Sequence, residues 1–80
     1  MAASQILSPL PGTFYRRPAP DKPPFKEEGD AVAVGEVIGL IEVMKSFHQV
    51  TADAAGRIAR FLVENEDPVT AGQPLADVEA

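Results

Sequence analysis

An internal repeat constrains the fold of this chain more than any other feature. Residues 29–42 match residues 66–79 at a constant offset of 37, with acidic, β-branched, glycine and aliphatic positions in the same order. The matched pairs are Asp30 and Asp67, Val32 and Val69, Gly35 and Gly72, Ile38 and Leu75, Ile41 and Val78, and Glu42 and Glu79. Agreement in both residue type and spacing indicates two similar half-domains.

The repeat continues upstream with a different offset. Residues 11–16, PGTFYR, resemble residues 55–60, AGRIAR, at an offset of 44, so the first half carries seven extra residues. Residues 18–24, PAPDKPP, form a run of that length with four prolines. Proline donates no hydrogen bond to a sheet and disfavours regular structure. We therefore predict that residues 18–24 form a loop that projects from the fold.

The repeat units are better explained by strands than by helices. Their apolar positions are also spaced as on a helix, but glycines and prolines interrupt both copies and would break one. Short runs of strand-forming residues between turn residues favour an all-β sandwich or flattened barrel. We expect the two halves to pack face to face around one core. Residues 1–7 are assigned to an N-terminal tail and residues 8–80 to the domain.

Composition restricts the possible partners. The chain has 80 residues, which suffice for one small domain, and its 7 basic and 12 acidic residues leave a net charge of −5. An acidic surface disfavours binding to nucleic acid or to an anionic membrane. The N-terminus lacks a secretory pattern, and no apolar run approaches the ~18 residues of a bilayer span. We expect a cytoplasmic, monomeric domain.

The residue inventory argues against catalysis. The chain has no cysteine and a single histidine, His48, so disulfides, thiol chemistry and ordinary zinc sites are excluded. No pattern suggests a nucleophile beside a base. We assign no catalytic residue and no metal site, and we expect a non-enzymatic module that other proteins act on.

One lysine lies at the junction of the two halves. Residues 37–43 and 47–50 have the character of strands, and the simplest connection is a tight hairpin with Met44 and Lys45 at its tip. Two-residue hairpins favour Asn, Asp or Gly, because a type I′ turn needs positive φ. Met and Lys are unfavourable in such a turn, and an unfavourable choice of residues suggests a functional demand. On the residues alone, an exposed lysine without a specific role remains the simpler interpretation.

The residues around this lysine resemble a known motif. Residues 42–46, Glu-Val-Met-Lys-Ser, are similar to the Glu-Ala-Met-Lys-Met of biotinyl domains, with Val43 and Ser46 departing from the usual Ala and Met. The segments SPLPGTFYR, PAPDKPPF, GDAVAVGEVIGLIEVMK, ADAAGRI and PVTAGQPL follow in the family's order, so the resemblance covers nearly the whole chain. The chain is identified as a member of the biotinyl domain family.

The resemblance implies a carrier function. Biotinyl domains are flattened barrels of two four-stranded antiparallel sheets with pseudo-two-fold symmetry, and the family's biotin would be attached covalently to Lys45. Biotin protein ligase would recognise Glu42 and Met44. The carrier would shuttle a carboxyl group from biotin carboxylase to the carboxyltransferase of an acyl-CoA carboxylase, with acetyl-CoA as the expected acceptor, in fatty-acid biosynthesis.

The proline-rich loop also acquires a meaning from the resemblance. Residues 18–24 correspond to the thumb of carriers from bacterial-type multisubunit acetyl-CoA carboxylase, and we use that name for them. The expected thumb residues are Pro18, Ala19, Pro20, Asp21, Lys22, Pro23 and Pro24. The thumb would contact the tethered biotin or a partner protein.

Two other functions remain open at this point. A lipoyl carrier domain of a 2-oxo-acid dehydrogenase complex would share the fold, although lipoyl domains usually place Asp before the lysine and Met44 favours biotin. An unmodified protein-interaction module would need no lysine chemistry. Glu42 could equally be a plain strand acid like its repeat mate Glu79, and we expect Gly35 and Gly72 to supply turns with positive φ.

Overall fold

A computed structural model describes residues 3–80, and all of its regular structure is β-strand. The strands are β1 (Ala3–Leu7), β2 (Gly12–Tyr15), β3 (Ala31–Val32), β4 (Val37–Val43), β5 (Ser46–Thr51), β6 (Gly56–Phe61), β7 (Pro68–Val69) and β8 (Pro74–Glu79). They form two four-stranded antiparallel sheets, which confirms the predicted fold class. Within residues 3–80 no helix is long and apolar enough to cross a membrane.

The two sheets are related by the internal repeat. Their strand orders are β1-β8-β6-β3 and β5-β4-β2-β7. The offset of 44 takes β1 to β5 and β2 to β6, and the offset of 37 takes β3 to β7 and β4 to β8. Each sheet therefore contains two strands from each half. The halves share one core as expected, but they interlock instead of packing as two separate sheets.

Matched acids of the repeat make matched hydrogen bonds. Asp30 Oδ2 accepts a hydrogen bond from the Glu27 backbone N–H at 2.9 Å, and Asp67 Oδ2 accepts one from the Glu64 N–H at 2.8 Å. Both aspartates thus satisfy the backbone of a tight turn just before a short strand. The sequence similarity between the halves therefore reflects equal structural roles.

Matched glycines also occupy equivalent turns. Gly35 and Gly72 have φ angles of 89° and 81°, which confirms the prediction that they supply positive φ. The Gly35 N–H donates to the Ala52 carbonyl, and the Gly72 N–H donates to the Ser8 carbonyl, both at 2.8 Å. The first bond ties the end of β5 to the turn before β4, and the second ties the end of β1 to the turn before β8.

The assignment of residues 1–7 to a tail is wrong for residues 3–7, which form β1. This strand pairs with β8 along its whole length, and Ile6 is only 2% exposed. The repeat contains the signal that was missed, since Gln5 and Ile6 match Gln49 and Val50 of β5 at the offset of 44. Because Ile6 joins the core, β1 belongs to the domain. Residues 1 and 2 lie outside the described residues.

A single apolar core lies between the sheets and holds the lysine hairpin in place. Phe14 on β2 is its largest fully buried side chain, and Ile41 on β4 and Val50 on β5 are 0% and 1% exposed. Gly39 allows the Phe14 ring to lie against β4, because a Cβ at Gly39 would approach the ring to 2.5 Å. The hairpin is therefore anchored in the core through Ile41 on β4 and Val50 on β5.

Candidate functional site: the lysine hairpin and the adjoining groove

The Met44-Lys45 turn is the most strained backbone near the predicted site. Cross-strand pairing of β4 and β5 continues to Val43 and Ser46. Met44 and Lys45 alone therefore form the loop, as predicted. Their φ angles are 50° and 67°, in the left-handed region that a type I′ turn requires. A non-glycine L-residue costs about 1–2 kcal/mol there. Strained conformations of this kind are frequent at functional sites.

The turn projects both side chains into solvent. Met44 is 93% exposed and Lys45 is also exposed. Within the described part of the chain no carboxylate lies within ion-pair distance of the Lys45 amine. Lys45 can therefore be approached by another protein without first breaking an internal contact.

Glu42 makes a contact that the sequence did not reveal. It lies on β4 between Thr13 of β2 and Phe47 of β5, and its Oε1 accepts a hydrogen bond of 2.9 Å from the Tyr15 hydroxyl. This hydrogen bond to the carboxylate raises the pKa of Tyr15, because it favours the protonated hydroxyl. Glu42 therefore has a side-chain hydrogen-bond partner on the neighbouring strand. Tyr15 was missed because the repeat assigns it no matched tyrosine.

Two aromatic rings extend this surface outward. The centroids of the Tyr15 and Phe47 rings are 5.9 Å apart with a tilt of 58°, a favourable aromatic geometry. Phe47 remains 57% exposed. His48 follows on β5, where it is exposed and lies opposite Ile41. The hairpin thus carries an aromatic and acidic patch on the sheet face beside the lysine.

Residues 18–24 form a loop, as predicted, and hydrogen bonds within the thumb and at its base stabilise it. The Phe25 N–H donates to the Arg16 carbonyl at 2.9 Å and closes the base of the loop. The Lys22 N–H donates to the Ala19 carbonyl at 3.1 Å, and the Arg17 guanidinium reaches the Lys22 carbonyl at 3.4 Å. A thumb with a closed base can be held at a fixed place beside the barrel.

A groove of about 350 Å³ separates the thumb from the hairpin sheet. Its lining consists of Tyr15, Arg17, Pro18, Ala19, Pro20, Glu42, Phe47, Asn65 and Glu66. The structure therefore brings Glu42 together with the first part of the predicted thumb. Met44, Lys45 and residues 21–24 do not line the groove.

Comparison with known proteins supports a particular family. The family model described as "Biotin-requiring enzyme" matches residues 4–78. The chain is 40% identical over 76 residues to the biotin carboxyl carrier protein of acetyl-CoA carboxylase from Nostoc sp., covering 95% of this chain and 42% of that protein. It is 44% identical over 70 residues to the protein of the same name from Chlamydia muridarum, covering 88% of this chain and 43% of that one. The chain thus spans less than half the length of these curated relatives.

Solved structures of carboxylases contain the same fold. Kluyveromyces lactis urea carboxylase matches with a TM-score of 0.79 at 29% identity, over 99% of this chain and 6% of that chain. A single-chain, multi-domain long-chain acyl-CoA carboxylase matches with a TM-score of 0.77 at 27% identity, over 94% of this chain and 7% of that chain. Family model, relatives and fold agree over nearly all of the sequence. The chain therefore belongs to the biotin/lipoyl family, whose model is described as "Biotin-requiring enzyme".

Proposed function

We propose that this chain is a biotin carboxyl carrier domain with biotin attached to Lys45. The observation that carries the proposal is the turn itself, in which two non-glycine residues hold left-handed φ angles to present Lys45 at the tip of an anchored hairpin. The relatives named as biotin carboxyl carrier proteins support the same conclusion.

The residues present fit a covalently attached biotin. An amide needs an accessible primary amine, and Lys45 is exposed and forms no ion pair with the described carboxylates. After loss of a proton, the Lys45 Nζ attacks the activated carboxyl of biotin adenylate, an amide bond forms and the nucleotide leaves. The reaction removes the positive charge of Lys45 and leaves a long arm on a rigid support.

The domain acts as a carrier in this proposal, and partner enzymes perform the chemistry. Bound biotin supplies a ring nitrogen that accepts and releases a carboxyl group. The hairpin holds the arm out towards biotin carboxylase and then towards a carboxyltransferase whose acceptor is an acyl-CoA, with acetyl-CoA favoured by the named relatives. Tethering raises the local concentration at each site to about the millimolar range. The carrier must bind both partners weakly, because slow dissociation would limit the shuttle.

The same proposal assigns Glu42 and Met44 to recognition by biotin protein ligase. Both lie close to Lys45 in sequence, and Met44 offers an exposed apolar side chain at the tip. The departures at Val43 and Ser46 are compatible with this role. Val43 is half-buried at the end of β4, and Ser46 opposes it across the hairpin.

Intact mass spectrometry after coexpression with an active biotin protein ligase tests the proposal. Wild-type protein should gain the mass of one biotinyl group, whereas Lys45→Arg, which retains the charge, should gain nothing. Lys26→Arg is the matched control, since Lys26 forms an ion pair with Glu36 far from the turn in sequence, and it should be modified normally. An unmodified wild type in the presence of excess ligase would overturn the assignment. A lipoyl mass instead would favour the alternative carrier.

We also propose that the thumb contacts the tethered biotin or a partner. The supporting observation is the groove, whose thumb side is formed by Pro18, Ala19 and Pro20. Because the Phe25 N–H and the Arg16 carbonyl are already in contact, deletion of residues 18–24 requires little change in the barrel. The shortened domain should fold and accept biotin but transfer carboxyl groups more slowly. Unchanged transfer kinetics would reject a role for the thumb.

A further inference from the structure

The Tyr15 side chain is hydrogen-bonded to Glu42, although the two residues are not directly opposite each other on their strands. On β2 and β4 the residue opposite Tyr15 is Leu40, and the residue opposite Glu42 is Thr13. Tyr15 and Glu42 are therefore diagonal neighbours, a separation that only a long side chain can span. The Tyr15 hydroxyl does so and donates a hydrogen bond of 2.9 Å to Glu42 Oε1.

Packing fixes the position of the donor. The Tyr15 ring is half-buried and lies against Phe47, with centroids 5.9 Å apart. A ring held on one side by Phe47 cannot leave the carboxylate without losing this contact. The hydrogen bond to Glu42 raises the pKa of Tyr15, which favours the protonated hydroxyl that donates to the carboxylate.

The internal repeat provides a comparison within the same molecule. Glu79 is the repeat mate of Glu42, and the residue that matches Tyr15 at the offset of 44 is Ala59. The half that carries Glu79 builds the same strands without a tyrosine at that position. The equivalent strands β6 and β8 therefore form without such a hydrogen bond. The bond occurs in the half whose strand continues into the Lys45 turn.

We infer that Tyr15 is a positioning residue that holds the Glu42 carboxylate in one orientation for the enzyme that attaches biotin to Lys45. This inference rests on the function proposed above. Only Val43 and Met44 separate Glu42 from the lysine. With Oε1 held by Tyr15, the other carboxylate oxygen is presented to a donor on the docking enzyme, and a carboxylate fixed in advance loses less conformational entropy on binding.

The test measures biotin transfer by the ligase to the apo domain. Tyr15→Phe removes the hydroxyl but keeps the ring against Phe47. We expect its kcat/KM to fall about tenfold, mostly through a higher KM for the domain, because docking and not chemistry is impaired. In a Glu42→Ala background, Tyr15→Phe should have no further effect, since the two residues act as one unit.

Gln5→Ala is the matched control. It removes a side-chain hydrogen bond of 3.1 Å to Asp77 between β1 and β8, in the sheet that does not carry the lysine. Its thermal stability should change as little as that of Tyr15→Phe, but its KM for the ligase should equal that of wild type. A higher KM for Tyr15→Phe alone, at equal thermal stability of the two variants, separates recognition by the ligase from a general loss of stability.

Three results would overturn the inference. Tyr15→Phe could leave kcat/KM unchanged, its effect could add fully to that of Glu42→Ala, or Gln5→Ala could impair the ligase equally. Each of them leaves the attachment of biotin to Lys45 standing, because the wild type is still modified. A wild type that accepts no biotin overturns the proposed function and this inference together.

Discussion

Replacement of Met44 by asparagine should make the domain more stable and a poorer substrate for biotinylation. Met44 has a φ of 50°, and its side chain is 93% exposed, so the substitution removes almost no packing. The left-handed conformation costs a residue such as methionine about 1–2 kcal/mol. Asparagine tolerates this region and is favoured at the first position of a two-residue hairpin. We expect a net gain of about 1 kcal/mol, since asparagine retains part of the penalty.

Thermal unfolding of the apo domain measures this gain. For a domain of this size, 1 kcal/mol corresponds to a rise in Tm of about 4–8 °C. Biotin transfer to Met44→Asn should fall in the same preparation, because the proposed ligase contact is lost. The two effects together would be a trade-off between stability and function at a single residue.

Glu66→Asn is the matched control for the conformational effect. Glu66 has a φ of 71°, and its repeat mate Gly29 has a φ of 92°, so this position also requires the left-handed region. Its Tm should rise by a similar amount. If Glu66→Asn raised Tm while Met44→Asn left it unchanged or lowered it, the turn at Met44 would not store the proposed strain.

Three further substitutions test the fold and its pH dependence. Gly39→Ala should lower stability by about 1–3 kcal/mol in chemical denaturation, because its Cβ would meet the fully buried Phe14 ring; an unchanged midpoint would reject this close contact. Ile6→Ala should cost about 2–5 kcal/mol in the same assay if β1 belongs to the domain, whereas a tail residue would cost nothing measurable. Hydrogen bonds from Arg60 and then Gln5 lower the pKa of Asp77, so its contribution to stability is present above the unfolded pKa of about 3.9 and is lost as pH falls through the lower folded value. The Tm difference between wild type and Asp77→Asn should therefore be largest near neutral pH and shrink below about pH 4, and a constant difference would contradict the linkage.

Much of the fold follows from local patterns in the sequence. The repeat predicted two similar halves with turns at Gly35 and Gly72, and the mismatch of its offsets predicted the projecting loop at residues 18–24. Turn chemistry, proline and alternation act over a few residues, so one sequence is enough to detect them. The position of the two-residue turn at Met44 and Lys45 was predictable from the strand-forming residues on either side of it, although its own residues are unfavourable there.

The proposed function came from a motif of five residues and its resemblance to a family, not from physical chemistry alone. Composition and turn chemistry left Lys45 as an exposed lysine with an unusual neighbour. The structure adds the physical reason for its presentation, which is the pair of left-handed φ angles at the end of two strands anchored by buried Ile41 and Val50.

By itself the sequence determined the β class, the repeat, the position of the turn and the identity of the residue that it presents. Only the tertiary structure decided that β1 completes a sheet, that the halves interlock, and that Tyr15 reaches Glu42 beside the thumb. The reason is distance along the chain. Tyr15 and Glu42 are 27 residues apart, and β1 meets β8 across almost the entire sequence, so these contacts depend on which strands pair and in which register.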